Sequence, residues 1–284
     1  MSSVGHRSRS QLRGCRCVTL PGVNAAVTAV CVVGGLLIGD QLEVVVERVG
    51  SRQLGGRPWW RCPSCSSPLS GWGLVPLARG GTLRRGCSEC GSKWERPWRP
   101  LALAVVTAAV LGAFAYKFGT DVALLAFAVF GVSLVAISAV DLERLVIPNL
   151  IVYPTLAVEI PLLVLASGID GRWTSLWRAA ASGAIGFAAF FVVHTIVPRG
   201  MGFGDVRLAG LVGLMTGWLG FGHAFVAFFA AFILASVVGV FALALSGQGR
   251  KTRIPFGPFL AAGAVFAIVW GDPVVNALFH RGGS

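Results

Sequence analysis

Two aspartates lie at the edges of apolar segments, where a carboxyl group is costly and is therefore a functional candidate. Asp141 ends the third predicted membrane span and Asp205 begins the sixth. Two carboxyl groups in a poorly solvated site do not both ionise readily, so one keeps its proton. The charged member can take a proton from water, and the neutral member can hydrogen-bond the carbonyl group that the water attacks. The pair therefore predicts hydrolysis of a peptide bond without a metal or a covalent intermediate.

Glycines precede the second aspartate, in the run Gly202-Phe-Gly204-Asp205. Without a Cβ at these two positions, a substrate backbone can approach closely and the chain can bend before the helix. Asp205 is also placed to cap that helix. The alternative interpretation is structural: Asp141 ends a helix opposite Arg144, and Asp205 is only a cap paired with Arg207.

Four cysteines form two CxxC pairs with 21 residues between the pairs. Each pair offers two thiolates from one tight turn, and two such turns complete a tetrahedral zinc site. Gly86 and Gly91 flank the second pair, where a metal knuckle often needs a positive φ. Four protein ligands leave no open position, so the predicted zinc is structural. The alternative is two disulfides in an oxidising compartment. The cysteines are Cys62, Cys65, Cys87 and Cys90.

The composition places these residues in a membrane protein. Of the 284 residues, 55% are apolar and 13% are charged, whereas a soluble domain carries about 25% charged residues. A single water-soluble fold is excluded because it would expose large apolar surfaces. The apolar runs predict an all-α polytopic protein with about eight transmembrane helices. They lie at 23–47, 101–117, 122–140, 150–168, 177–197, 206–219, 222–246 and 256–278, and 206–219 is the shortest.

The chain divides into four predicted parts. Residues 1–22 form a disordered basic tail, 23–47 the first helix, 48–100 a small four-cysteine zinc domain, and 101–280 the membrane domain. The net charge of +12 comes from basic residues in loops between apolar runs, a pattern that favours membrane orientation over nucleic-acid binding. The 48–99 loop alone holds ten Lys and Arg. The positive-inside rule therefore predicts that the zinc domain and both aspartates lie on the cytoplasmic side.

Three motifs stand in order along the membrane part of the chain. They are Asp141 followed by Ile147-Pro148-Asn149, then Gly202-Phe-Gly204-Asp205-Val-Arg207, then Ile254-Pro255-Phe-Gly257-Pro258. This order is similar to that of the aspartic prepilin peptidases of bacteria, and the four-cysteine loop resembles the amino-terminal domain of that family. The resemblance implies that Asp141 and Asp205 are catalytic and that Cys62, Cys65, Cys87 and Cys90 hold structural zinc. It also implies a supporting or substrate-binding role for Gly202, Gly204, Arg207, Pro148, Asn149, Pro255, Gly257 and Pro258.

The resemblance implies a multi-pass enzyme of the bacterial inner membrane that removes the short basic leader from type IV prepilins and pseudopilins. In the family, the cut falls just before the apolar segment of the substrate. Many members also methylate the new amino terminus with S-adenosylmethionine. This chain departs from the family where Asp40, Gln41 and Glu43 replace Ser, Phe and Asn, and where Trp98-Arg-Pro100 replaces a Tyr-Pro with a nearby Glu. Arg207 stands in place of a Lys and keeps its charge. The protease is intact in this comparison, and the methylation is left open.

Two other functions fit part of the pattern. An ion-coupled transporter would use the acids within the spans as an ion site, and a zinc-ribbon membrane scaffold would use only the cysteine domain. A transporter is expected to show inverted repeats, and the sequence shows no repeat. A scaffold would leave the aspartates and the Gly-x-Gly-Asp run unexplained. Glu159 and His194 lie within spans, and we place neither of them in the catalytic site.

Overall fold

The fold is known from a computed structural model, which describes residues 21–50, 67, 89–91, 98–197, 201–246 and 255–279. These residues form eight α-helices and no strand. The all-α polytopic architecture predicted from the sequence is confirmed. The helices are α1 (Pro21–Gly50), α2 (Arg99–Phe118), α3 (Ala123–Arg144), α4 (Asn149–Asp170), α5 (Trp173–Ile196), α6 (Phe203–Leu219), α7 (Phe221–Ser246) and α8 (Gly257–Phe279).

In the described part of the chain, seven helices are long and apolar enough to cross a membrane. The exception is α6, which has 17 residues and corresponds to the shortest predicted span. Residues 1–20 of the predicted tail and most of the predicted zinc domain at 48–100 lie outside the described residues, and the last two residues of the predicted tail, 21 and 22, belong to α1.

The main differences from the predicted bounds are at helix ends. Helix α3 continues through Asp141 to Arg144, and it ends where Leu145 adopts a left-handed conformation with φ of 54°. Asp141 therefore lies within the last helical turn rather than at the end of the helix. Helix α5 begins four residues earlier than predicted, because Gly171, with φ of 66°, ends α4 abruptly and turns the chain at once.

Consecutive helices pack as antiparallel neighbours around an aromatic centre. The ring of Phe127 on α3 stacks on Phe118 of α2 at 4.4 Å and meets Trp218 of α6 edge-on at 5.9 Å. Small residues bring the α5–α6 pair into close contact: a Cβ added to Gly213 would lie 2.5 Å from the Ser182 carbonyl oxygen. Such close approach through small residues is typical of helices packed within a bilayer. The alternation of helices brings the end of α3 and the beginnings of α4, α6 and α8 to one end of the bundle.

Candidate active site

The last turn of α3 holds the first predicted catalytic residue. Asp141 is 4% exposed, and its Oδ2 accepts a hydrogen bond of 2.9 Å from the backbone N–H of Gly257 at the start of α8. A backbone N–H at a helix start carries partial positive charge and favours a carboxylate. The Gly257 backbone lies so close to the carboxyl group that a Cβ added at Gly257 would stand 2.7 Å from Oδ2 of Asp141. Helix α8 thus fixes the position of this carboxyl group.

The first turn of α6 holds the second predicted catalytic residue. Gly202 is the N-cap, in an extended conformation, and Asp205 is the third residue of the helix. Asp205 therefore does not occupy the N-cap position that the sequence suggested. Its Oδ2 instead accepts a hydrogen bond of 3.1 Å from the Gly202 N–H. This bond holds the side chain back over the turn that carries both glycines.

Gly204 allows this turn to lie against the loop that follows α3. A Cβ at position 204 would stand 2.7 Å from the Cβ of Ile147, and Ile147 is buried. The absence of a side chain at Gly204 therefore lets the α6 turn approach the α3–α4 loop, which brings Asp205 toward Asp141.

The two carboxyl groups interact electrostatically. Asp205 lies outside the seven candidate spans, and its pKa is raised to about 6, first by burial and second by the charge of Asp141, against the lowering effect of the Gly202 N–H. A carboxyl group that titrates near 6 can hold a proton under conditions where an ordinary aspartate is ionised. Sharing of one proton between Asp141 and Asp205 stays a prediction of the sequence, and the raised pKa of Asp205 is in the direction that it requires.

The guanidinium of Arg207 contacts two aromatic rings and a side-chain amide. Its guanidinium lies 4.4 Å from the ring centre of Phe203 and 5.6 Å from that of Tyr153, and Nη1 donates to Oδ1 of Asn149. Among the described residues, no ion pair joins Arg207 to Asp205, so the structure does not show the pairing that the structural interpretation of Asp205 invokes.

The other supporting residues predicted from the sequence lie around the same end of the bundle. Pro148 is the N-cap of α4, and Asn149 is its first residue. Pro255 lies two residues before Gly257, and Pro258 is the second residue of α8. The structure thus brings Asn149 to Arg207 and Gly257 to Asp141, joining residues that are far apart in sequence.

The sequence interpretation missed three contributors. Ile147 supports the Gly204 turn, and Tyr153 and Phe203 hold Arg207. The spacing of Phe203 and Arg207, and of Asn149 and Tyr153, is i,i+4, which places each pair on one helix face. That spacing was the signal available in the sequence. The contact of Ile147 with Gly204 has no local signal, because it joins the α3–α4 loop to the first turn of α6.

The described part of the four-cysteine segment is small. Cys90 lies in an exposed turn, and the adjacent Gly91 has φ of 66°, which is the positive φ expected beside a metal knuckle. Cys62, Cys65 and Cys87 lie outside the described residues. Within the residues that the structure describes, no group of three or more His, Cys, Asp or Glu side chains could hold a metal ion.

Two family models match this chain. The type IV leader peptidase family matches residues 128–243, the region that carries both aspartates, and the bacterial peptidase A24 N-terminal domain matches residues 33–118. The chain belongs to the type IV leader peptidase family. The first model covers α6 and most of α3, which hold the aspartates, and the second covers the four cysteines and α2.

Curated proteins named prepilin leader peptidase/N-methyltransferase are similar to this chain over most of their length. The chain is 28% identical to the prepilin leader peptidase/N-methyltransferase of Bacillus subtilis (strain 168), with 85% of this chain and 94% of that protein covered. It is 27% identical to the protein of that name from Pseudomonas putida, with 84% and 89% covered. The Pseudomonas aeruginosa protein of that name is 26% identical, with 88% and 92% covered. No solved structure gives a significant match.

Proposed function

We propose that this chain is an aspartic endopeptidase of the bacterial inner membrane that removes the basic leader from type IV prepilins and pseudopilins. The single observation that carries the proposal is the pairing of Asp141 with Asp205, each held by one glycine N–H at one end of the helical bundle. Family membership supports the reaction and favours it over the transporter and the scaffold. It also supports a multi-pass location in the membrane.

In the proposed reaction, a water molecule lies between the two carboxyl groups and the scissile carbonyl carbon. The ionised aspartate accepts a proton as the water oxygen attacks that carbon. The protonated aspartate donates a hydrogen bond to the carbonyl oxygen, where negative charge develops. The tetrahedral intermediate then collapses as the C–N bond breaks, and the departing nitrogen receives a proton from the pair. The products are the leader with a new carboxylate and the pilin with a new amino terminus.

The glycine hydrogen bonds have a specific part in this scheme. Each engages Oδ2 of one aspartate, which leaves Oδ1 of each residue for water and substrate. Because the two aspartates titrate as a coupled pair, the base and the acid are roles of the pair rather than of one fixed residue. The scissile bond must be unwound in this site, since a helical carbonyl is covered by its own backbone hydrogen bond.

The proposed orientation places the aspartates and the four-cysteine segment on the cytoplasmic side. The segments assigned to the catalytic side, 48–99, 141–149, 198–207 and 247–253, together hold 16 of the 24 Lys and Arg residues. Excess basic charge is typical of cytoplasmic loops. This side is also where a thiolate cluster stays reduced.

We expect the wild-type chain, co-expressed with a prepilin in cells that lack their own prepilin peptidase, to shorten that prepilin by the mass of its leader. Intact-protein mass spectrometry of the pilin measures this directly. An additional methyl mass on the product would assign the S-adenosylmethionine-dependent N-methylation to this chain as well. A pilin that keeps its leader, across several type IV prepilins and pseudopilins and with the enzyme inserted in the membrane, would contradict the proposed function.

The four cysteines are proposed to hold one structural zinc ion. The positive φ of Gly91 next to Cys90 fits a metal knuckle, and four thiolates would complete the coordination without a water ligand. When bound, zinc would cross-link a segment that has little apolar core of its own. The chemistry at the aspartates does not pass through the metal.

We expect the purified protein to contain about one zinc per chain, and the Cys62→Ser and Cys87→Ser variants to lose it. Elemental analysis measures the metal, and the melting temperature reports its contribution to stability. Cys31→Ser is the matched control, because Cys31 lies half-buried within α1 and belongs to neither CxxC pair. A wild-type protein that is free of metal and has its four cysteines oxidised would favour the disulfide alternative instead.

A further inference from the structure

The last turn of α5 contacts the chain that leads into α6. His194 is half-buried, and its Nδ1 lies 2.9 Å from the backbone carbonyl oxygen of Met201. A carbonyl oxygen only accepts hydrogen bonds, so Nδ1 carries a proton and donates the bond. The imidazole of α5 is thereby bonded to the backbone directly before the Gly-x-Gly-Asp run.

The Met201 carbonyl belongs to the same peptide unit as the N–H that holds Asp205. In a planar trans peptide, the C=O of one residue and the N–H of the next lie in one rigid plane and point in opposite directions. The N–H of this unit is that of Gly202, which donates to Oδ2 of Asp205 at 3.1 Å. Two hydrogen bonds in series therefore run from the imidazole of His194, through one peptide plane, to the carboxyl group of Asp205.

The imidazole ring also contacts the side chain that stands between the two glycines. Its centre lies 5.6 Å from that of Phe203, and the rings of Phe187 and Phe191 meet Phe203 edge-on at 6.5 and 6.3 Å. Residues 187, 191 and 194 share one face of α5, because they are spaced by four and three positions. That face holds the first turn of α6 through a backbone hydrogen bond and a set of ring contacts.

The two hydrogen bonds in this series affect each other. Hydrogen bonds in a chain polarise one another, so donation to the Met201 carbonyl makes the Gly202 N–H a better donor. The same bond limits rotation of the peptide plane, which would carry the N–H away from the carboxyl group. The Gly202 N–H lowers the pKa of Asp205, so a weaker or misdirected N–H should let that pKa rise.

We infer that His194 is a positioning residue for the proposed peptidase reaction, because it orients the peptide unit of Met201 and Gly202 whose N–H holds Asp205. The inference rests on the proposed function and adds a residue that acts on a catalytic carboxyl group through the backbone. The position of His194 within a span does not require it to bind an ion or to carry a proton. Its Nδ1 proton serves to hold the catalytic turn against the end of α5.

The first test separates the hydrogen bond of His194 from its ring contacts. His194→Phe keeps a ring and removes the donor, whereas His194→Asn removes the ring and keeps an amide N–H near the position of Nδ1. With purified enzyme and prepilin, we expect His194→Phe to lose about tenfold in kcat with KM within about twofold of wild type, since the loss of one hydrogen bond has this order of effect. We expect His194→Asn to stay within about threefold of wild type, because the donor is restored.

Thr195→Ala is the matched control for both variants. Thr195 is the exposed neighbour of His194, and its hydroxyl donates back to the carbonyl of Val192 in the same helix. We expect this variant to cleave within about twofold of wild type, as is usual for an exposed position. Cleavage by His194→Phe at the rate of the control would overturn the inference, and so would a loss in His194→Asn as large as that in His194→Phe.

The second test needs neither substrate nor turnover. A water-soluble carbodiimide modifies carboxyl groups in their protonated form, and peptide mass spectrometry reads the modification of Asp205 as a function of pH. Neither replacement at position 194 titrates, and Asp141 and Arg207 keep their charges in both variants. We expect the midpoint for Asp205 to lie about half a pH unit higher in His194→Phe than in His194→Asn. Equal midpoints would overturn the inference alone, whereas a prepilin left uncleaved by the wild-type enzyme would overturn the proposed function.

Discussion

Replacing either Asp141 or Asp205 by asparagine should leave the leader of the prepilin uncleaved, with the rate reduced on the order of 10³-fold or more. Asparagine keeps the size and polarity of the side chain but cannot accept and return a proton. Because the two residues act as one unit, we expect the double variant to be no worse than either single variant. The rate of appearance of the shortened pilin, followed by mass spectrometry, measures all three enzymes.

The matched control for these variants is Asp170→Asn. Asp170 pairs with Arg172 at the opposite end of the bundle, and Arg172 retains Asp121 as a second partner. We expect this variant to cleave within about twofold of wild type, since surface ion pairs contribute little. Membrane insertion of each variant is checked by its level in the membrane fraction. Cleavage above one tenth of the wild-type rate by either catalytic variant would remove the carboxyl pair from the mechanism.

The Gly257→Ala variant should lose about 10²-fold in cleavage rate while both aspartates remain in place. The added Cβ would stand 2.7 Å from Oδ2 of Asp141, which is closer than real Cβ contacts allow, and 3.2 Å from Cγ, which is tight. Either the carboxyl group or the start of α8 must move. A displacement of about 1 Å at a reacting group is sufficient for a loss of this size.

Gly168→Ala is the control for the Gly257→Ala variant. Gly168 lies in α4, and a Cβ there would make ordinary contact at 3.8 Å with Trp173. Alanine is the better helix former, so we expect this variant to be at least as stable as wild type. Cleavage by Gly257→Ala at the rate of Gly168→Ala would show that the close contact of α8 with Asp141 does not position the carboxyl group.

The sequence predicts the helices well because the apolar runs are long and are separated by glycine, proline and charge. It also locates both aspartates at one end of the bundle, since alternating helices fix the end at which each residue lies. In the sequence, only the family motif indicates that Gly257 is a supporting residue. Nothing in its neighbourhood shows that its N–H reaches Asp141, which is 116 positions away. Contacts of this range depend on how the helices pack, and the periodicity of each helix does not contain that information.

The placement of charged residues was the least predictable part. Glu43 and Arg99 appeared in the sequence only as departures from the family pattern. In the structure, Arg99 of α2 forms one salt bridge with Glu43 of α1 and a second with Glu143 of α3. The partners lie on three helices, so no spacing along the chain indicates them. Arg207 shows the same limit on a smaller scale: its contact with Phe203 follows from helical spacing, whereas its contact with Tyr153 required the fold.

The contact between Glu43 and Arg99 has a consequence for the four-cysteine segment that lies between them. It joins residues 56 positions apart at 3.1 Å, so the helices already hold the two ends of that segment together. Closing a flexible loop of this length costs about 3.5 kcal/mol of chain entropy, and the packing of α1 on α2 meets this cost before any metal binds. In the proposed zinc site, the cysteines would therefore need to order only a loop whose ends are fixed, and the same segment cut out as a free peptide would lack that advantage.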